Sequence, residues 1–279
     1  MSEEKIGVAV ITCNREDMYK VCIDSIDESW CDELVTVNDG TSLTCYKGEY
    51  IETSGGEGVG SAKNTALQYL LKMNCDYIVL VEDDMKFTSN IFAAYIDAYK
   101  KTGIHHFMFG YHGPANKAGI SYGKPVPRLI VDYGPFDECR IALNQHCVGA
   151  VTFYTREALE TVGLYDENFI NAFEHVDHSY QLAKSGFSTP YWWWADLANS
   201  LDYVQEQKCS EDSSAIRPRS DWQSNIQTAA RYFMQKNKVG PVQVPDTPRH
   251  EVVEIIQQYR KLIHDRSKEQ TNDSDSSEG

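Results

Sequence analysis

Along the first ninety positions, short apolar blocks alternate with stretches of helical spacing. The block KIGVAVITC (5–13) predicts a strand, and Met18, Val21, Cys22, Ser25 and Ile26 then recur at helical intervals. ELVTVNDG (33–40) predicts a second strand, closed by Asn38, Asp39 and Gly40. GGEGVGSAKNTALQYLLKM (55–73) reads as a glycine-rich loop running into a helix with Ser61 as its N-cap, and DYIVLV (76–81) as the next strand. This strand–helix rhythm is that of a parallel α/β sheet. Residues 105–145 are irregular and rich in Gly, Pro, His and Tyr. CVGAVTFYT (147–155) predicts a buried strand, and TREALETVG (155–163) a short helix stopped by Gly163. FEHVDHSYQLAKSGF (173–187) reads as a helix stopped at Gly186, and STPYWWWADL (188–197) as a further strand.

Beyond residue 205 the pattern changes. QKCSEDSSAIRPRSD (207–221) is polar and turn-rich, which predicts a mobile loop. Val252, Ile256, Tyr259 and Ile263 form a helical stripe, and KEQTNDSDSSEG (268–279) has little to bury and is expected to be disordered. The expected organisation is an α/β domain over 1–204, a helical extension over 205–266 that covers the site, and an acidic tail over 267–279.

The formal net charge of −15 argues against nonspecific coating of nucleic acid or anionic membrane, although a local basic groove is compatible with it. No segment has the roughly 18 consecutive apolar residues of a membrane span, and the acidic start does not resemble a secretion signal. Eight scattered cysteines, with no Cys-x-x-Cys pair, fit reduced thiols and a cytoplasmic protein.

Candidate chemistry lies where the strands end. DYIVLVEDDMKF (76–87) closes a greasy strand with Glu82, Asp83 and Asp84, and Met85 and Phe87 then resume apolar alternation. Clustered carboxylates at that depth call for compensation, and a hard divalent cation, Mg²⁺ or Mn²⁺, is the usual one. In parallel α/β sheets, ligands gather outside the carboxyl ends of the strands, where both VNDG and VEDD fall. The glycine-rich stretch is neither a Walker A loop nor an in-frame Gly-x-Gly-x-x-Gly. It predicts a close approach to an anion by backbone and Lys63, or a plain flexible turn. On the 173–187 helix, Glu174, Asp177 and His178 share a face, so a carboxylate there is a candidate general base. Three consecutive tryptophans, Trp192 to Trp194, must point to both faces of a strand, which makes core packing the simpler reading over sugar stacking. His105, His106, His112 and His146 are read as structural or solvated, not as metal ligands.

The ordered set VAVITCNRE, VTVNDG, GSAKNTAL, VLVEDDM, GAVTFYTREALETVGLYDENF and EHVDHSYQLAKSGF resembles the GT-A glycosyltransferases, particularly the family-2-like inverting branch. The resemblance spans roughly residues 5–200. It implies a Rossmann-like, mostly parallel sheet flanked by helices, and a nucleotide-sugar donor, most simply a UDP-sugar, lying across the strand ends. Thr12, Asn14 and Arg15 would then line the nucleotide pocket, and Asp39 would accept from the base. Lys63 and Asn64 stand where the family often has Ala-Arg-Asn. Glu82 and Asp83 would lie near ribose and metal waters, and Asp84 would ligate Mn²⁺ or Mg²⁺ directly, with Glu82 a second candidate ligand. EHVD matches the family's Glu-Asp-x-Asp region, but His175 replaces the usual catalytic Asp. The base is then expected to be Glu174 or Asp177.

The residue types suit that chemistry: a metal and Lys63 would stabilise the departing diphosphate, and a carboxylate would deprotonate the acceptor for in-line, inverting attack. Two rivals stay open. A nucleotidyltransferase would need a Gly-rich basic loop directly after the first strand, where this chain has TCNRED. A non-catalytic sugar- or nucleotide-binding relative is kept open by His175. The expected acceptor is a soluble hydroxyl on a glycan, a protein or a modified DNA base, and the local basic residues at 217–219 and in 249–266 read more simply as a solvated face.

Overall fold

The computed structural model describes residues 4–44, 46–112, 116, 126–133, 139–207, 220–259 and 261. Its first strands are β1 (Ile6–Thr12), β2 (Glu33–Asn38), β3 (Glu49–Glu52), β4 (Tyr77–Glu82) and β5 (Met85–Phe87). They are followed by β6 (His106–Met108), β7 (Leu129–Asp132), β8 (Arg140–Asn144), β9 (Val151–Thr155), β10 (Trp194–Leu197) and β11 (Val204–Glu206). Between them lie the helices α1 (Glu16–Asp24), α2 (Val59–Lys72), α3 (Ile91–Thr102), α4 (Arg156–Val162), α5 (Glu174–Lys184) and α6 (Trp222–Asn237).

The main sheet has the order β3-β2-β1-β4-β9-β6. β1 runs parallel to β2 and β4 (Val8 opposite Leu34 and Val79), and β2 runs parallel to β3. β9 is antiparallel to both β4 and β6. The alternation within the strands sorts the core into two layers. Val8, Val10, Val79 and Val81 face α1 and α3, whereas Ala9, Ile11, Ile78 and Leu80 face the small and apolar residues of α2, α4 and α5. Strands covered on both faces need continuous apolar runs, which is why KIGVAVITC and DYIVLV lack polar alternation.

Two elements depart from the sequence expectation. The α2 helix begins at Val59, not after Ser61, because capping groups arrive from elsewhere. Asp39 accepts from the Glu57 and Gly58 amides, and Asn171 from the Val59 amide at 3.0 Å, so the helix is nucleated three residues earlier. Gly58 sits at φ 100°, a conformation that favours glycine, and Ser61 donates to Glu57 from inside the first turn. In the tryptophan run, strand pairing starts only at Trp194, because Trp192 adopts φ 71° and leaves the pleat.

All three indoles go to packing. Trp192 and Trp193 donate to Val244, Asp246 and Thr247 of the C-terminal segment, Arg128 stacks 3.7 Å from the Trp193 ring, and Trp194 is buried. β10 joins β8 and β7 in a separate antiparallel sheet, and β11 pairs with β5.

Residues 249–259 are helical and bury Val252 and Ile256, while the Tyr259 hydroxyl donates to the Ser188 carbonyl. Ile263, most of the 207–221 loop and the acidic tail fall outside the described residues. Cys22, Cys31, Cys75, Cys139 and Cys147 are free thiols, and the Cys13 thiol donates to the Asp39 carbonyl. Among the described residues no helix is long and apolar enough to cross a membrane.

Candidate active site

β1, β2 and β4 end on one side of the sheet and bring Thr12–Arg15, Asn38–Asp39 and Glu82–Asp84 together. They border a cleft lined by Thr12, Arg15, Asp39, Val59, Glu82 and Asn171. The apolar run 76–87 is a strand, an acidic turn and a second short strand. β5 buries Met85 and Phe87 and pairs with β11, which fixes the turn between them. Gln207 staples it further, with its amide nitrogen donating to the Met18, Asp83 and Met85 carbonyls and its backbone amide to the Asp84 carbonyl.

Each acid in that turn has its own partners. Lys63, on α2, is fully buried, and its ammonium reaches Glu82 at 2.8 Å, the Gly149 carbonyl at 3.1 Å and Glu174 at 3.5 Å. Burial works against the Glu82 carboxylate, but Lys63 and then His112 outweigh it and hold its pKa below the usual range. The same two carboxylates overcome burial to keep Lys63 charged, with its pKa raised. Arg15 pairs with both oxygens of Asp83 and approaches Asp84 at 3.5 Å. Thr12 donates to Asp83 at 2.6 Å. Burial nevertheless pushes the Asp83 carboxyl up to about 7 against Arg15 and Thr12. Burial also raises Asp84, which retains a buried oxygen, Oδ1, with no hydrogen-bond partner among the described residues.

Glu82, Asp84 and His112 can each offer a ligand atom within 4.8 Å of the others. His112 Nδ1 also lies 3.2 Å from Glu206, an electrostatic contact without hydrogen-bond angles. Two carboxylates, one of them with an orphaned buried oxygen, and an imidazole form a donor set that fits Mn²⁺ or Mg²⁺. Sequence reasoning set His112 aside with the other histidines. His105 and His106 are indeed structural: His105 bonds Thr155, and His106 bridges the Phe153 carbonyl and the Ser179 hydroxyl. Nothing local in the sequence separates His112 from them, since it reaches the acids only through the loop after β6.

The remaining candidates divide by what their side chains already hold. Both Asp39 oxygens accept from the 53–58 loop (Thr53 hydroxyl, Glu57 and Gly58 amides), so Asp39 shapes the cleft wall. Asn14, at φ 56°, accepts from the amide and hydroxyl of Thr41 and fixes the turn after β2. Asn64 faces away from the cleft, clamping the Tyr165 backbone and Glu167. Asp177 is spent on α6, with Lys236 at 2.7 Å and Asn237 at 2.9 Å. Glu174 lies in the first turn of α5, after the left-handed Asn171 and Phe173, and is 3% exposed. Burial opposes its ionisation, but His175 (2.9 Å) and Lys63 hold its carboxyl down at about 2. The structure therefore joins Thr12, Arg15, Lys63, Glu82, Asp83, Asp84 and Glu174 in one network and leaves Asn64 and Asp177 outside it.

No family model matches the chain. An uncharacterized glycosyltransferase of Acanthamoeba polyphaga mimivirus is 26% identical over 233 residues, which cover 77% of this chain and 86% of that protein. The S. aureus TarS 1–349 structure in complex with UDP superposes with a TM-score of 0.51 at 12% identity, covering 91% of this chain and 70% of its own. GalNAc-T7 with UDP, GalNAc and Mn²⁺ gives 0.53 at 10% identity, covering 92% of this chain and 55% of its own. The structural likenesses show the fold that this chain shares with these two proteins, and in sequence the chain is similar to the uncharacterized glycosyltransferase of mimivirus.

Proposed function

We propose that this chain is a metal-dependent glycosyltransferase that moves a sugar from a nucleotide-sugar, a UDP-sugar by preference, onto a hydroxyl acceptor with inversion. The observation that carries the proposal is the Glu82–Asp84–His112 cluster, with its orphaned Asp84 oxygen, at the strand end beside the Arg15-lined cleft. Glu82, Asp84 and His112 would hold Mn²⁺ or Mg²⁺, which supplies Lewis-acid stabilisation of a departing diphosphate. Arg15 is the cation on the cleft wall, while Lys63 lies behind the acids and positions Glu82 and Glu174. The cleft between Arg15, Val59 and Asn171 takes the nucleoside. The general base belongs to the Glu174–His175 pair in the first turn of α5, since Asp177 is engaged by Lys236 and Asn237.

The mimivirus relative and the UDP-bound fold neighbours support this reading over a nucleotidyltransferase. The acceptor class is proposed as a glycan, protein or modified base hydroxyl. The test is a thermal-shift panel of UDP- and GDP-sugars with and without Mn²⁺, followed by assay of nucleotide release. A UDP-sugar should stabilise the protein only when Mn²⁺ is present; equal stabilisation with EDTA would refute the metal-dependent site.

A further inference from the structure

Of the adjacent pair Glu174 and His175 in the first turn of α5, His175 is the side chain exposed to solvent. A quarter of the His175 side chain is exposed, against 4% of Glu174's. The imidazole rests on Gly149, where even a methyl group would come within 2.9 Å of the ring. Gly149 carries the carbonyl that receives Lys63, and Ala150, next in the chain, accepts the Glu82 amide at 2.7 Å. The ring therefore lies beside the strand end that carries the acids. Its Nδ1 faces Glu174 Oε1 at 2.9 Å, and Glu174 is fixed from behind by Lys63. An ionised carboxylate there accepts the Nδ1 proton and leaves Nε2 with a free lone pair.

Resting on the transferase reading above, we propose that His175 Nε2 is the general base of this enzyme and that Glu174 is its positioning residue. In the step, Nε2 takes the acceptor hydroxyl proton as the oxygen bonds to the anomeric carbon. The bond from that carbon to the phosphate oxygen breaks, and its electron pair leaves with the nucleoside diphosphate. The imidazolium keeps its Nδ1 proton on Glu174 and returns the other to solvent. The Glu174 carboxyl, held down at about 2, is a weak acceptor for a hydroxyl proton. Of the titratable groups nearby, Glu174 faces the ring, Lys63 of α2 holds Glu174 from behind, and the Cys147 thiol donates to the His175 backbone carbonyl.

The experiment measures Mn²⁺-dependent UDP release from UDP-GlcNAc and UDP-glucose by the full chain, with UDP affinity followed by calorimetry. His175→Ala should lower kcat by roughly 10²–10⁴-fold with UDP affinity within threefold of wild type. His175→Asp should recover much of the rate and move the acid limb of the pH profile downward. Long-range ¹H–¹⁵N spectra should show the Nδ1–H tautomer in the wild type and its loss or weakening in Glu174→Gln. A His175→Ala protein that keeps a third of the wild-type rate with intact UDP affinity, or an Nε2–H tautomer, overturns the assignment. A wild-type chain that neither binds UDP with Mn²⁺ nor releases it defeats the transferase reading itself, and this inference with it.

Discussion

Replacing Lys63 with methionine removes the ammonium that joins the buried Glu174 carboxylate to the part-buried Glu82 carboxylate. It reaches Glu82 at 2.8 Å and Glu174 at 3.5 Å, and no part of it meets solvent. Methionine fills much of the volume, so the cost is electrostatic. Breaking a buried pair by deleting one partner costs about 3–5 kcal/mol, because an uncompensated charge stays behind. The Glu174 carboxyl gives an independent figure. Held at about 2 against an ordinary 4.5, it contributes about 3 kcal/mol to stability, shared between His175 and Lys63.

The pH dependence has a definite sign. A depressed carboxyl stabilises the fold above its unfolded pKa, and that stability is lost as pH falls from about 4.5 towards 2. Without Lys63 the carboxyls rise, so protonation relieves the variant, and its deficit at pH 7 should shrink between pH 6 and 4. The assay is urea unfolding followed by tryptophan fluorescence at pH 7 and pH 4.5, for Lys63→Met, Glu174→Gln and the double variant. The double variant should recover at least 1 kcal/mol of the Lys63→Met loss. A Lys63→Met cost below about 1 kcal/mol, or a deficit that grows on acidification, would refute the buried-bridge account.

Asp177→Asn should loosen α6 by weakening the Lys236 contact yet leave kcat for UDP release within threefold, and a hundredfold loss would return the base to Asp177. Asp39→Ala removes the acceptor of the Glu57 and Gly58 amides and the Thr53 hydroxyl. It should cost about 1–2 kcal/mol by uncapping α2 and should expose the 53–58 loop to limited proteolysis. Gly149→Ala forces the imidazole of His175 off its seat, so kcat should fall at least tenfold while UDP affinity holds, measured by nucleotide release and calorimetry. His112→Ala should weaken Mn²⁺ affinity about tenfold or more, read by manganese paramagnetic resonance, without lowering the melting temperature by more than a few degrees.

Where a signal is local and apolar, the sequence carries it well. The two-sided burial of β1 and β4 and the amphipathic stripes of α2 and of residues 249–259 follow from residue spacing alone. Capping already depends on distant groups: Ser61 is a sound local N-cap, but Asp39 and Asn171, respectively 22 positions before and 110 after it in the chain, supply the acceptors that start α2 at Val59. The tryptophan run has strand composition, but its rings find partners in residues 244–247, and Trp192 turns out of the pleat to reach them.

In the site, the acidic turn is legible because three carboxylates after an apolar strand are an electrostatic anomaly. The identity of their compensation is not. Arg15 and Lys63, both named at the sequence level as ligand contacts, neutralise the acids directly, and the imidazole that joins Glu82 and Asp84 comes from an irregular loop with no motif. Glu174 and Asp177 share a helix face in sequence, but Lys236, 59 residues further on, engages one of them.

The proposed chemistry depends on a nucleoside diphosphate and a divalent cation binding together at the end of β4. The most direct measurement is titration calorimetry of UDP into the full chain, with Mn²⁺ and with EDTA, for wild type and Asp84→Asn. The expected result is one UDP per chain with Mn²⁺, affinity at least tenfold weaker in EDTA, and the same weakening in Asp84→Asn with Mn²⁺ present. UDP binding of equal strength in all of these conditions would contradict it.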